Sequence, residues 1–139
     1  MAKLVSFMLF ASTQNIQNAN GGLVQQLSGP IIVLRPRYIP SEFSFAIAIG
    51  INDVDLNIDN TVQIIFKSPN NDIILDTGNG KLSASATDSN LPSEYQGFAM
   101  TMPLQNIALD TEGVYSLEVF FNDELLDKRA IPVFKQGVI

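Results

Sequence analysis

Apolar and polar residues alternate along much of this chain, which is the pattern of a β-strand with one buried face. Phe43 to Ile51 is the clearest case, because Phe and Ile alternate there with Ser, Ala and Gly. Val62 to Phe66 and Tyr115 to Phe121 repeat the two-residue period. No segment sustains the three- and four-residue spacing of an amphipathic helix, and only a short helical turn near Ser93 to Tyr95 is expected. The pattern therefore predicts an all-β protein.

Turn-forming residues separate the predicted strands. Asn20-Gly21-Gly22 divides a first strand, Leu4 to Ala11, from a second at Leu23 to Leu27, because Asn and Gly tolerate a positive φ. Ser28-Gly29-Pro30 predicts a further break. The remaining signals predict a rigid connector at Arg35–Pro40, hairpin turns at Ser68–Asn71 and Asn122–Asp123, a weak edge strand at Lys81–Thr87, a loop at Asp88–Ser93, and strands at Phe98–Met102 and Leu104–Leu109.

About eight short strands with frequent turns indicate a single domain, residues 1–139, folded as an antiparallel two-sheet sandwich, either Ig-like or C2-like. A barrel would also bury one face of each strand, but the surroundings of Tyr115 favour the sandwich. This tyrosine follows a turn at Asp110–Gly113, where a sandwich tyrosine can bond through its hydroxyl to the backbone upstream. Pro132 lacks an N–H, which predicts that the last strand lies at a sheet edge or bends there.

The composition removes several kinds of chemistry. The chain has neither Cys nor His, so it cannot form disulfides, cysteine zinc sites, or a Ser-His-Asp or Cys-His catalytic set of its own. Its net charge is −6 and its pI about 4.3, and an acidic surface repels nucleic acid and anionic membranes. We therefore expect no cofactor, no nucleic-acid partner and no membrane partner.

The apolar run from Leu4 to Ala11 has two interpretations. One positive charge, Lys3, ahead of a short apolar run is typical of a weak secretory signal. The run is interrupted by Ser6 and lacks a clear small-residue cleavage site, which favours a buried first strand and a cytoplasmic rather than a secreted protein. No run in the sequence approaches the roughly 20 apolar residues of a membrane-spanning helix.

Side chains that carry oxygen recur at alternate positions in residues 53–59, a spacing that suits the hard cation Ca²⁺. An EF-hand loop does not fit, because Ile58 and Ile64 stand where that loop needs Gly and Glu. A calcium site between sandwich loops, as in C2-type domains, is one interpretation. The other is a solvated strand or loop, and the regular alternation favours it. The candidate ligands are Asp53, Asp55, Asn57 and Asp59, and the residues expected to be buried between them are Val54, Leu56 and Ile58.

The parity of the apolar positions changes between Ile51 and Val54. The buried face must therefore switch near Asn52, and a bulge or bend is expected there.

Asp76-Thr77-Gly78 matches the tripeptide of aspartic proteases, whose retroviral type is a dimer with one carboxylate from each chain. The rest of the sequence does not fit that family. Gln136 to Val138 is too late and too polar to be its aliphatic–glycine segment, and no glycine-rich flap is visible. The alternative is an ordinary turn at Asp76–Gly80, where every residue is turn-compatible, and this interpretation is favoured.

Two groups of cations also have a functional and a structural interpretation. Arg35, Arg37 and Tyr38 would suit an anion or a peptide carboxylate, but their place between prolines is typical of a rigid connector. Lys128 and Arg129 in the last strand are typical of edge charges that discourage aggregation.

Several turn and strand motifs follow one another in a recognisable order. They are Asn20-Gly21-Gly22-Leu23, Ile39-Pro40 before Phe43–Ile51, the hairpin from Phe66 to Ile73, and Gly113-Val114-Tyr115 with Asn122-Asp123. In this order they resemble a bacterial family of small uncharacterised domains, and the resemblance spans most of the chain. It implies a sandwich fold and no known activity, and it transfers no catalytic residue.

Together these observations predict a non-enzymatic protein that acts through protein contacts. Exposed strand edges are the expected contact surface, with a homodimer as one form of that contact. This expectation rests on analogy at the level of the fold. The alternative is a module that binds Ca²⁺ or a carbohydrate through loops carrying Asp53, Asp55 and Asp59, and the third hypothesis is a dimeric aspartic protease using Asp76.

Overall fold

The central strand of one sheet, residues 41–52, shows how this chain forms its sheets. A computed structural model describes residues 2–17, 19–81, 85–86 and 90–137. In it, Phe45, Ile47, Ile49 and Ile51 are each at most 3% exposed, Ser44 before them is exposed, and the small residues Ala46 and Gly50 between them are also buried. Aromatic and β-branched residues fit a pleated surface that is buried on one side, so this segment forms a strand.

Ten strands and one 3-10 turn occur in the described residues, and the strands form two antiparallel sheets packed against each other. The predicted all-β, two-sheet sandwich is therefore confirmed, as is the helical turn at Ser93–Tyr95. In chain order the strands are β1 (Lys3–Gln17), β2 (Leu23–Ile31), β3 (Ser41–Asn52), β4 (Thr61–Lys67), β5 (Ile73–Asp76), β6 (Gly80–Lys81), β7 (Ser85–Ala86), β8 (Gly97–Leu109), β9 (Gly113–Phe121) and β10 (Glu124–Val133).

Each sheet pairs some strands that are consecutive in the sequence and others that are far apart in it. Sheet A has the order β2-β1-β3-β8-β7, and sheet B has the order β10-β9-β4-β5, with β6 also paired to β4. In the described residues, β2 and β7 are therefore the end strands of sheet A, and β10 and β5 are those of sheet B. Pro132 lies in β10, which confirms that the last strand is at an edge.

Side chains from both sheets meet in one core. The ring of Phe66 is fully buried and lies 6.0 Å from the ring of Phe45 in sheet A and 5.4 Å from the ring of Tyr115 in sheet B. Tyr115 donates a hydrogen bond from its hydroxyl to the Thr111 carbonyl at 2.7 Å and accepts one from the Thr111 N–H at 3.3 Å. The predicted tyrosine hydrogen bond to the upstream backbone is therefore present.

The predicted break at Ser28-Gly29-Pro30 is wrong, because β2 runs through it to Ile31. Gly29 adopts a φ of +73°, and Pro30 pairs with Phe10 of β1. An end strand tolerates proline where its missing N–H would face away from the ladder. The glycine therefore bends the strand without ending it.

The two strands predicted at Phe98–Met102 and Leu104–Leu109 are a single strand, β8. The pairing of β8 with β3 shifts register between Phe43 and Phe45. Asn106 has a φ of +57° there, and its N–H donates to the Ser44 hydroxyl at 2.9 Å. The ladder continues through Pro103, which pairs with Ala46, and the bulge lies within the second predicted segment.

The weak edge strand predicted at Lys81–Thr87 is also divided differently. Gly80–Lys81 pairs with β4 of sheet B, and Ser85–Ala86 pairs with β8 of sheet A. Residues 82–84 and 87–89, including the first two residues of the loop predicted at Asp88–Ser93, lie outside the described residues.

The predicted change of buried face near Asn52 is confirmed. β3 ends at Asn52, Asp53 adopts a φ of +61°, and Val54 is then 4% exposed. In the described part of the chain, no helix is long and apolar enough to cross a membrane.

Candidate interaction site

The hairpin of β1 and β2 extends beyond the body of sheet A. β1 pairs with β3 from Lys3 to Phe10, whereas its pairing with β2 continues to Gln17 opposite Leu23. Residues 12–17 and 23–28 therefore form a two-stranded ribbon, here called the arm. Its turn contains Gly21, whose φ of +83° is a conformation that glycine adopts without strain.

The arm carries a ladder of uncharged side chains on one of its faces. The two hydroxyls of the first pair lie 3.0 Å apart, and Nε2 of Gln14 donates to Oε1 of Gln26 at 3.1 Å. Since every second residue of a strand shares a face, the members of the ladder stack along the arm. The three cross-strand pairs of the ladder are Ser12–Ser28, Gln14–Gln26 and Ile16–Val24.

β2 is an end strand that carries no charge. The sequence has no charged residue between Lys3 and Arg35, although the net charge of the whole chain is −6. Leu23 at the tip of the arm is 76% exposed. One side of an end strand presents N–H and C=O groups that the sheet does not pair, and charged side chains are a common protection of such an edge. β2 is therefore an edge to which another extended strand can be added.

A crease separates the arm from β3. It has a volume of about 190 Å³ and lies between Ala11–Thr13 of β1 and Ser44–Ala46 of β3. In the arm, β1 is therefore paired with β2 alone, and most of the described side chains of the arm are exposed.

β10, an end strand of sheet B, is protected in several ways. Lys128 is exposed, and the guanidinium of Arg129 donates to Asp127 at 2.8 Å. The N–H of Leu34, just before the connector, donates to the Pro132 carbonyl at 2.9 Å and so pairs with the end of this strand. The predicted edge charges are therefore present on β10, although Arg129 also lies over the ring of Phe7, 5.6 Å from its centroid.

The candidate calcium ligands lie in a loop between β3 and β4, where local hydrogen bonds use several of their atoms. Oδ1 of Asp55 accepts from the Asn57 N–H at 3.0 Å, and its carbonyl accepts from Asn60 Nδ2 at 3.0 Å. Asp59 faces Lys81 at 4.0 Å with both side chains exposed. Among the described residues, no group of three or more His, Cys, Asp or Glu is arranged to hold a metal ion.

The burial predicted for the intervening apolar residues is correct in part. Val54 is buried and Leu56 half-buried, but Ile58 is 55% exposed. The segment forms turns rather than a strand, so alternate residues do not share one side.

Asp76 lies at the end of β5 and belongs to a turn. It accepts hydrogen bonds at 2.8 Å from Gln63 Nε2 and from the Gly78 N–H. These two bonds, the Gln63 bond first, hold the pKa of this exposed carboxyl below its ordinary value. The geometry of Asp76 is that of a turn residue.

The connector cations contact the C-terminal segment of the described chain. Nη2 of Arg35 donates to the Lys135 carbonyl at 3.3 Å, and Gln136 Nε2 donates to the Arg35 carbonyl at 3.0 Å. Tyr38 is 71% exposed. The structural interpretation therefore accounts for Arg35, while Arg37 is exposed like Tyr38.

The arm is the feature that the sequence patterns did not identify. The first strand was expected to end at Ala11, because residues 12–17 lack alternating apolar positions. The available signal was the long uncharged stretch between Lys3 and Arg35, in which Ser, Asn and Gln replace the usual surface charges.

Comparison with known proteins adds no assignment to this geometry. No family model matches the chain, and no curated protein matches it. The resemblance to a family of small bacterial domains therefore stays a prediction.

Proposed function

We propose that this chain is a non-enzymatic protein-interaction module built on a β-sandwich, and that its contact surface is the outer edge of β2 together with the arm. The observation that carries this proposal is the difference between the end strands β10 and β2. β10 has charged residues and a backbone bond from Leu34 at one end, whereas β2 is uncharged and carries exposed Leu23 and Val24. An unprotected edge of this kind suits the addition of a strand from another chain.

The hydrogen bonds of the carboxylates support a structural rather than a catalytic role for them. Asp55, Asp76 and Asp127 each accept a backbone N–H within two residues of their own position. Such bonds are typical of turns and strand ends, where the side chain satisfies the local backbone.

The test places a charge on the proposed edge. Val24→Lys adds a lysine to β2, and Asn70→Lys adds the same charge to the exposed turn between β4 and β5. Tagged wild type and both variants are used for affinity capture from the cells that naturally produce the protein. We expect wild type and Asn70→Lys to retain the same proteins and Val24→Lys to lose them. Equal retention by all three proteins would contradict the proposal.

A further inference from the structure

We propose that the strand added to β2 is β2 of a second copy of this chain, paired antiparallel about a two-fold axis at Gln26. The inference rests on the proposed function, because it names the partner of the same edge. The product is a homodimer in which the two A sheets form one continuous sheet.

The position of Pro30 defines which backbone groups of β2 face outward. A strand accommodates proline where the missing N–H would point away from the ladder, and Pro30 pairs with Phe10 of β1 without a shift in register. Residues of the same parity then direct their N–H and C=O groups outward. In the arm these residues are Val24, Gln26 and Ser28.

This alternation favours an axis at Gln26. With Gln26 opposite its own copy, Val24 of each chain lies opposite Ser28 of the other, so all three outward-facing residues form hydrogen bonds across the edge. An axis at Ser28 would place Pro30, which has no N–H, opposite Gln26. An axis at Val24 would place Gln26 opposite the turn that precedes Leu23. The central axis therefore satisfies the most backbone groups.

The side chains on the ladder face continue across this axis. Gln26 accepts a hydrogen bond from Gln14 at 3.1 Å, and a glutamine amide has two donors and two acceptor positions. The amide of Gln26 can therefore bond to the same amide of the second copy while keeping its bond to Gln14. The result is a row of four glutamines across four strands.

The distribution of charge supports a second copy of this chain as the partner of the β2 edge. Two chains of net charge −6 repel each other wherever their acidic groups approach. The edge of β2 avoids this repulsion, because no charged residue occurs between Lys3 and Arg35. A two-fold contact uses the β2 edge of both copies, so pairing of β2 with β2 closes at two copies rather than growing into a fibre.

The absence of cysteine from the sequence makes a crosslinking test direct. Two residues on the axis of an antiparallel pair have Cα atoms about 5.5 Å apart, which lies within the range that a disulfide spans. Gln26→Cys is therefore expected to form a covalent dimer under mild oxidation. Gln14→Cys is the matched control, because residue 14 lies on the next strand and is about 14 Å, or three strand spacings, from its copy. Equal crosslinking of the two variants would overturn the axis at Gln26.

The non-covalent dimer is measured by sedimentation velocity on the full chain. A single pair of strands is a small interface, so the measurement spans about 1 to 500 μM. We expect wild type and Asn70→Lys to dimerise, and we expect Val24→Lys and Gln26→Pro to raise the dissociation constant at least tenfold. Thermal unfolding of each variant shows that it is folded. A monomeric wild type throughout this range, or a dimer unaffected by both edge variants, would overturn the proposal.

The two proposals fail in different ways. If wild type is monomeric but captures a cellular protein that Val24→Lys loses, the second copy is excluded and the interaction edge stands. If wild type is monomeric and Val24→Lys captures the same proteins as wild type, both proposals fail.

Discussion

The end strands β10 and β2 differ in how they limit pairing with other chains. β10 contains Asp127, Lys128 and Arg129, and the N–H of Leu34, just before the connector, bonds to its Pro132 carbonyl. β2 has a bend at Gly29 and Pro30, and its remaining residues are neutral. Charged side chains therefore protect the edge of β10, whereas the protection of β2 is limited to its bend.

The outward faces of the two sheets show the same difference. On sheet B, Lys67 bonds to Glu118 at 3.1 Å, and Lys128 lies directly opposite Glu118 across the strand pair. On sheet A, the outward residues at the centre of β3 are Ala46, Ala48 and Gly50. The centre of the outward face of sheet B therefore carries charged groups, whereas that of sheet A carries small residues, of which Ala46 and Gly50 are buried by their neighbours.

The largest expected effect concerns the ion pair of sheet B. Glu118 is only 8% exposed, so Lys67→Met leaves a nearly buried carboxylate without its closest cation. We expect the free energy of unfolding to fall by about 3 kcal/mol, because removing one partner of a buried ion pair leaves an uncompensated charge. Urea denaturation provides the measurement.

Two further variants sharpen this result. Lys67→Arg keeps the positive charge and is expected to recover most of the stability. The double variant Lys67→Met, Glu118→Leu removes both charges and is expected to lie within about 1 kcal/mol of wild type. If Lys67→Met is as stable as wild type, the ion pair does not contribute to the stability of sheet B.

The next effect concerns the bend at the base of the arm. Gly29 has a φ of +73°, and a Cβ at this position would lie 2.8 Å from the Cβ of Ala11. We expect Gly29→Ala to cost about 1–2 kcal/mol of unfolding free energy from the backbone conformation and the close contact together. Gly21→Ala is the matched control, since Gly21 has a similar φ of +83° with nothing within 4 Å of the added atom. Equal losses in the two variants would mean that packing against Ala11 contributes nothing.

The sequence predicted elements that bury one face and missed elements that depend on pairing. Phe43–Ile51 was identified correctly because its burial requires alternating large residues. Residues 12–17 have no such alternation, and they form a strand through their ladder with β2, a contact that no local pattern encodes. The same limit applies to β8, where pairing of Pro103 with Ala46 joins two apparent segments into one strand.

Predictions about sites depended on whether the segment was a strand or a turn. The alternation at residues 53–59 suggested that Ile58 is buried, but turn geometry exposes it. The turn interpretation of Asp76 matches its hydrogen bonds because Asp, Gly and Asn favour turns through their own side chains and backbone. The arm was missed because its signal is an absence of charged residues. A search for periodic apolar positions does not detect such an absence.

Removing charges from β10 tests whether charge is what limits association through this edge. The double variant Glu124→Thr, Lys128→Thr removes one charge of each sign from exposed positions, so the net charge stays at −6. We expect the unfolding free energy to change by less than about 0.5 kcal/mol. β10 would then resemble β2, and light scattering should detect species larger than a dimer as concentration rises. A variant that associates no further than wild type would indicate that the backbone bond from Leu34, rather than charge, closes this edge.

The smallest expected effect is the response of the two edges to acid. A hydrogen bond from Arg129, with a second from the Lys128 N–H, holds the pKa of Asp127 below its ordinary value of 3.8. A carboxyl with a lowered pKa in the folded state contributes stability above its ordinary pKa, and this contribution is lost as the pH falls through the lower, folded-state value. Because the Asp127 side chain is 37% exposed, solvent screening limits the contribution to about 0.5 kcal/mol or less.

Between pH 5 and about pH 2, wild type should therefore lose slightly more unfolding free energy than Asp127→Asn, in urea titrations at matched ionic strength. The edge of β2 has no titratable side chain between Lys3 and Arg35. Self-association through β2 should accordingly keep the same dissociation constant from pH 8 to pH 5, before the acidic groups elsewhere change the net charge of the chain. An association constant that follows the titration of carboxylates within that range would place the dimer contact on a charged surface and reverse the roles assigned to the two edges.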